Sequence, residues 1–290
     1  MDRVRVARIG EVDLFVRELG HENAGDPPLV VIHGGPDWDH SYLLPALKQV
    51  AQRRHVVAFD LRGCGRSSRG LSPERYQPEL AVEDVSRLIT WLNHEQVDVL
   101  GFSTGGQIAQ LLVDAHPSQV RRVVLASTTA YGDFEQHLRG WAERDRRLAM
   151  PTRWPSWARF AQDSPRTDRE QTIDWAVSGA STSIWTLDRL DEYLELLADV
   201  RFSGDWIGPF RTGRLHPWRP PDPAETLRRF DAPILVLHGA QDMSFPVEVA
   251  HRLHSDVPET QLVVVEDAGH MAHFDQTHQW ATAVTTFLSS

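Results

Sequence analysis

Apolar positions along the 290-residue chain recur with two periods. Residues 4–8 and 12–19 alternate apolar and polar positions around Gly10-Glu11, which predicts an antiparallel hairpin. Asn23 to Pro28 reads as a loop. Leu29-Val30-Val31-Ile32 is apolar throughout, as expected of a strand covered on both faces in a parallel sheet. His55 to Phe59, Val97 to Leu100, Val120 to Ala126, Pro233 to Leu237 and Leu262 to Val265 read as further strands. Between them, helical spacing predicts helices over 41–52, 79–93, from about Ile108, over 246–257 and over 275–288. Strands alternating with helices predict an α/β fold with a mostly parallel sheet and right-handed crossovers.

The pattern changes between residues 131 and 225. Strand-like runs vanish, and short helical segments such as 187–200 appear, broken by proline and glycine. Seven of the ten tryptophans fall here, at 141, 154, 157, 175, 185, 206 and 218. The reading is an α/β core of 1–130 and 226–290 carrying a helical cap over 131–225. About five of these indoles are expected to pack the cap together. The others are candidates to line a pocket, since pockets favour aromatic walls.

Composition narrows the function. A hydrophobic fraction of 41% and a charged fraction of 24% are ordinary for a globular protein. No apolar run approaches the ~20 residues that span a bilayer. MDRVRVARIG lacks the apolar core of a secretory leader. Cys64 is the only cysteine, so no internal disulfide forms, and a cytoplasmic, reducing compartment is expected. A formal charge of −10 argues against nucleic acid as a partner. A small-molecule substrate is expected instead, with no membrane partner; homodimerisation is left open.

The chemistry concentrates at Gly101-Phe102-Ser103-Thr104-Gly105, where an apolar strand turns into a helix. G-x-S-x-G in that context is a nucleophile elbow, with the serine on a strained turn that exposes its hydroxyl. A capping serine in a Gly-rich turn would also account for the pentapeptide alone. What favours the elbow is its company. Ligands of open α/β sheets bind beyond the carboxyl ends of the strands. Asp242 lies five residues past Leu237, and His270 five past Val265. Three strand ends thus carry a nucleophile, an acid and an imidazole. His270 would take the proton of Ser103 and return it to the leaving group, with Asp242 fixing its tautomer. The oxyanion would meet the N–H of Thr104 and that of Gly35, in His33-Gly34-Gly35-Pro36 after Ile32. A cis bond before Pro36 is compatible with that loop.

Other candidates have plainer roles. With fourteen histidines, location must decide. His33 and His238 are expected to hydrogen-bond loop backbone. His273 is the rival base. Asp60, beside Arg62 and Arg66, is expected in a structural ion pair. Asp267 is a weaker candidate than Asp242 because it precedes the Gly269 turn. No metal-ligand spacing is present, and Gly63-Cys64-Gly65 lacks the third glycine of a dinucleotide fingerprint, so no cofactor and no metal are expected.

With these residues the chain resembles the α/β-hydrolase superfamily over nearly its whole length. The matching pieces are His33 to Pro36, Asp60 to Ser67, Gly101 to Gly105, Gly239 to Asp242 and Gly269-His270. HGGP followed by Tyr42-Leu43 and Pro45 is similar to the proline iminopeptidase branch. The resemblance implies an eight-stranded core, a cap inserted after the sixth core strand, and Ser103, Asp242 and His270 as triad. Three features depart from that branch. Asp37 stands where its members carry a glycine, and the elbow reads GFSTG rather than GGSWG. The branch's Trp-Glu pair in the cap, whose acid binds the substrate amine, has no match, which leaves Asp188, Asp191, Glu192 or Asp205 as substitutes. The expectation is therefore a cofactor-independent serine hydrolase acting on a small ester, thioester or amide through an acyl-enzyme. Alternatives are a proline iminopeptidase or related amidase, a lyase or perhydrolase using the same residues, and a ligand receptor.

Overall fold

A computed structural model of the chain describes residues 1–21, 26–163 and 166–289. Part of the loop expected over 23–28 lies outside the described residues. The strands are β1 (Asp2–Ile9), β2 (Val12–Leu19), β3 (Leu29–Ile32), β4 (Val56–Phe59), β5 (Val97–Phe102), β6 (Val120–Ala126), β7 (Ile234–Gly239) and β8 (Gln261–Val265). They form one eight-stranded sheet in the order β1-β2-β4-β3-β5-β6-β7-β8. β1 and β2 pair antiparallel, as does β2 with β4; the remaining pairs are parallel.

Helices α1 (Leu44–Val50), α2 (Pro78–Trp91) and α3 (Thr104–Ala115) link the first strands. Five follow β6: α4 (Ala142–Leu148), α5 (Asp168–Ser178), α6 (Ala180–Ser183), α7 (Leu190–Leu196) and α8 (Ile207–Arg211). Then come α9 (Pro223–Arg229), α10 (Val247–Asp256), α11 (Ala272–Asp275) and α12 (Thr277–Ser289).

The two-sided burial of the central strands explains the uninterrupted apolar sequences of β3 and β4. Leu29 and Val31 pack with residues of α1 and α12, whereas Val30 and Ile32 pack with α2 and α3. Successive side chains point to opposite faces, so both must be apolar when helices cover both. Prolines open α1, α2 and α9, where a missing N–H costs nothing. Thr167 and Glu170 close a capping box on α5. Three expected helices are shorter than their apolar spacing. That of 41–52 is a 3-10 turn, His40–Leu43, before α1, because Pro45 lies in the first turn of a new helix. That of 187–200 is α7 flanked by two 3-10 turns, and that of 275–288 is divided between α11 and α12 at Gln276.

The sheet also buries charge. Asp98, fully buried near the start of β5, accepts from Arg54 at 2.7 Å and from Arg121 at 2.9 and 2.6 Å. Arg54 also reaches the carbonyls of Pro27 and Leu288, both at 3.1 Å, so it ties the chain's end to the sheet. Removing one partner of such a group strands the other without water. Asp98→Ala should therefore lower unfolding free energy by about 3–5 kcal/mol, read as a shift of the denaturation midpoint. A change below about 1 kcal/mol would mean that Arg54 is solvated.

Candidate active site

Strand order reverses between β3 and β5: the chain leaves β3 for β4 on one side, then returns to β5 on the other. At such a switch the loops beyond the strand ends diverge and leave a crevice. Register sets which residues meet there. Phe102 pairs with Ala126, Ala126 with Leu237, and Gly239 with Val265. The segments carrying Ser103, Asp242 and His270 therefore leave the sheet at one edge.

Ser103 sits between β5 and α3 at φ 55° and ψ −122°. This conformation is one a side chain seldom adopts, and it costs on the order of 1–3 kcal/mol. Its surroundings enforce it. Its N–H donates to the Ala126 carbonyl at 3.0 Å, and its carbonyl accepts from Gly106 N at 2.9 Å and Thr128 Oγ1 at 2.7 Å. A Cβ at Gly105 would press into the carbonyl oxygens of Ile32 and His33, and one at Gly101 into that of Gly105. Only glycine lets α3 approach β3 so closely.

The three side chains expected to converge do so. His270 Nε2 lies 3.1 Å from Ser103 Oγ, and His270 Nδ1 lies 2.8 Å from Asp242 Oδ2. Asp242 is fully buried, and its other oxygen accepts from the N–H groups of Ser244 and Phe245 at 2.7 and 2.8 Å. Burial pushes its carboxyl up. The charge of His270 and hydrogen bonds from His238 and His270 pull harder, so it lies well below the usual carboxylate range. The Phe102 and Phe245 rings flank the imidazole, with centroids 5.3 and 5.6 Å away.

Gly35 and Thr104 line the same cavity. Gly34 N–H is engaged by the Tyr42 hydroxyl at 2.8 Å, while neither Gly35 N–H nor Thr104 N–H meets an acceptor among the described residues. Thr104 Oγ1 donates to the Gly35 carbonyl at 3.0 Å and holds the two segments together. Gly35 has φ 132°, and the bond to Pro36 is cis.

The remaining candidates separate clearly. His33 Nε2 accepts from Leu61 N at 3.0 Å, and His238 Nε2 donates to the Phe245 carbonyl at 2.6 Å; both brace loops. His273 is buried among the Tyr42, Phe102 and Trp280 rings, and it is His270, not His273, that bridges Asp242 and Ser103. Burial, then the neighbouring His270 charge, pushes His273 down to about 3. Asp267 occupies a turn at φ 53°, and the imidazole pairs with Asp242. Asp60 departs from the expected ion pair with Arg62 and Arg66. Arg62 makes a bidentate pair with Asp84, 2.7 Å on each arm, because α2 brings that carboxylate within reach. Asp60 instead meets His40 Nδ1 at 2.6 Å and the backbone N–H of Arg66 at 2.8 Å. With Asp39 these form a cluster of metal-capable atoms that sequence spacing did not suggest, though its oxygens already accept local N–H groups.

Two acids lock the site's loops to the helical segment, and neither role has a signal in the sequence. The Asp37 carboxylate accepts from Ser203 Oγ at 2.8 Å, Trp206 N at 3.1 Å and Ile207 N at 3.0 Å. Burial outweighs these bonds and raises it to about 6. Asp275 accepts from Gly269 N at 2.9 Å, Trp185 N at 2.8 Å and Thr186 N at 3.1 Å, which fixes the turn before His270.

A cavity of about 610 Å³ opens beside Gly35 and Thr104. Of the seven tryptophans between 131 and 225, Trp175 and Trp218 line it, together with Trp38, Phe134, Phe210 and Phe245. Trp206 is fully buried and donates to the Arg62 carbonyl at 2.7 Å, and Trp157 stacks on Phe202. None of Asp188, Asp191, Glu192 and Asp205 lines the cavity.

Comparison with known proteins places this geometry. A profile of the family described as the alpha/beta hydrolase fold matches residues 27–277. The chain belongs to the α/β-hydrolase fold family. It is similar to α/β hydrolases named proline iminopeptidase: 25% identical over 276 residues to one from Heyndrickxia coagulans, covering 93% of each chain. It is 28% identical over 294 residues to one from Levilactobacillus brevis, covering 95% of this chain and 93% of that one. Solved α/β-hydrolase structures share the fold. A proline iminopeptidase-related protein from Thermus thermophilus superposes with TM-score 0.71 at 24% identity, over 100% of this chain and 98% of that one. An esterase from Exiguobacterium antarcticum gives TM-score 0.71 at 19% identity, over 100% of both chains.

The depressed Asp242 carboxyl has a consequence for acid stability. Its folded value lies below the unfolded value of about 3.9, so its ionised form stabilises the fold above that pH and loses its contribution as pH falls. The gap in melting temperature between wild type and Asp242→Asn should thus narrow from about pH 7 to about pH 3. A gap that widens toward acid would contradict the assignment.

Proposed function

We propose that the protein is a serine hydrolase that cleaves a small ester, thioester or amide through an acyl-enzyme, with residues 131–225 as a lid over the site. The observation that carries this reading is the continuous path Asp242 Oδ2 to His270 Nδ1 at 2.8 Å and His270 Nε2 to Ser103 Oγ at 3.1 Å. Ser103 Oγ attacks the substrate carbonyl carbon while His270 Nε2 takes its proton. The carbonyl oxygen becomes an oxyanion and accepts from the Gly35 and Thr104 N–H groups, which are preorganised and cost no rearrangement. The tetrahedral intermediate collapses as His270 gives the proton to the leaving oxygen, sulfur or nitrogen. Water then repeats the cycle on the acyl-enzyme, again with His270 as base. Asp242 holds the Nδ1–H tautomer and stabilises the imidazolium without itself taking the proton.

A second reading, hydrolysis of N-terminal prolyl or related aminoacyl amides, is favoured by the similarity to proline iminopeptidases. Against it, Asp37 is the only carboxylate lining the cavity among the described residues, and its oxygens are taken by the lid. A prolyl arylamide and its N-acetyl form separate the two readings. The iminopeptidase requires the free amine, whereas a general acyl hydrolase does not.

Ser103→Ala is expected to lower kcat on p-nitrophenyl esters by about 10³-fold or more, since nucleophile and base act as a unit. His270→Ala should do the same, while His273→Phe keeps the wild-type order of magnitude. Wild-type kcat in Ser103→Ala, or collapse in His273→Phe with His270→Ala active, would overturn the mechanism.

A further inference from the structure

Among the described residues, two ionisable side chains line the cavity beside Gly35 and Thr104: Asp37 and Arg219. The Asp37 oxygens are engaged by Ser203, Trp206 and Ile207. Arg219 is in a different position. One of its terminal nitrogens donates to the Tyr131 carbonyl, and the other lies beside Gly132, where a Cβ would come within 3.0 Å of it. No carboxylate pairs with it among the described residues. Asp133, whose charge acts on Arg219 without touching it, is hydrogen-bonded to Arg252 at 2.9 and 3.1 Å. Partial burial lowers the guanidinium from its ordinary value, yet a guanidinium of this kind keeps its charge at any working pH.

A cation held partly out of water with no carboxylate in contact is costly unless a ligand supplies one. Its neighbours Phe210, Pro217 and Trp218 are apolar, which strengthens attraction to an incoming anion. A planar fork of N–H donors in such a wall matches a carboxylate better than any neutral group. We infer that Arg219 is a specificity-determining residue that binds a substrate carboxylate other than the group being cleaved, so the natural substrates are esters or amides of carboxylate-bearing molecules. The inference rests on the serine-hydrolase reading and favours an acidic substrate over the free amine of the iminopeptidase reading. Trp175, Phe210 and Trp218 leave room for an apolar stem between the two ends.

The test uses the full chain. The mono-p-nitrophenyl ester of adipic acid places the carboxylate on the acyl side, and 4-acetoxybenzoate places it on the leaving group. Each is compared with a neutral ester of matched size. At least one acid should show a kcat/KM about tenfold to hundredfold above its neutral match, and Arg219→Gln should erase that preference through KM. In parallel, calorimetry on Ser103→Ala compares binding of 3-phenylpropionate and 3-phenylpropionamide, with and without Arg219→Gln. The acid should bind about tenfold or more tighter, and only with Arg219 present. If neutral esters are cleaved while acids show no advantage in rate or binding, the inference falls and the hydrolase reading stands. If no ester is cleaved yet the acid binds selectively through Arg219, the hydrolase reading falls and the anion site stands. Should Arg219→Gln fail to fold, equal binding of acid and amide to Ser103→Ala alone overturns the inference.

Discussion

The first turn of α3 passes so close to the end of β3 that no side chain fits between Gly105 and the Ile32 carbonyl. The site depends on this contact. It sets the angle at which the chain leaves β5, and that angle holds Ser103 at φ 55°. A strain of about 1–3 kcal/mol is sustained because Ala126, Gly106 and Thr128 satisfy the serine's backbone groups. The same crossing places the start of α3 beside Gly35, and Thr104 Oγ1 donates to the Gly35 carbonyl. The strain at Ser103 and the approach of Thr104 to Gly35 thus share one steric origin.

The helical segment after β6 is bound to this centre by polar contacts as well as by packing. Asp37 joins the loop after β3 to the start of α8, and Asp275 joins the turn before His270 to Trp185 and Thr186. Arg147, on α4, donates to the carbonyls of Ser181, Ile184 and Trp185 and covers the Trp185 ring. A change in the position of this segment would therefore be felt at Gly35 and at the His270 turn. The Asp37 carboxylate accepts from Ser203, Trp206 and Ile207 of that segment.

Much of this was legible in the amino-acid sequence, for physical reasons. Strands covered on both faces are predominantly apolar, and β3 and β4 are visible as unbroken apolar runs. The elbow, Asp242 and His270 could be read because each lies a few residues past a strand end, where register brings them together. Sequence could not reveal contacts made through space by ordinary residue types. Tyr42 holding Gly34, Asp275 holding the His270 turn and Asp98 between two arginines depend on which faces meet after folding. The expected partnership of Asp60 with its neighbouring arginines failed for that reason: α2 offers Asp84 to Arg62, and His40 reaches Asp60 first. Proximity along the chain is a poor guide to ion pairs when a helix can bring a better-oriented carboxylate.

The most direct test of the account is a crystal structure of the protein after reaction with a small alkyl fluorophosphonate. The account predicts phosphorus bonded to Ser103 Oγ, with the phosphoryl oxygen about 2.7–3.1 Å from both Gly35 N and Thr104 N. It also predicts His270 still bridging to Asp242. An unmodified Ser103, or an adduct whose phosphoryl oxygen points away from both N–H groups, would contradict it.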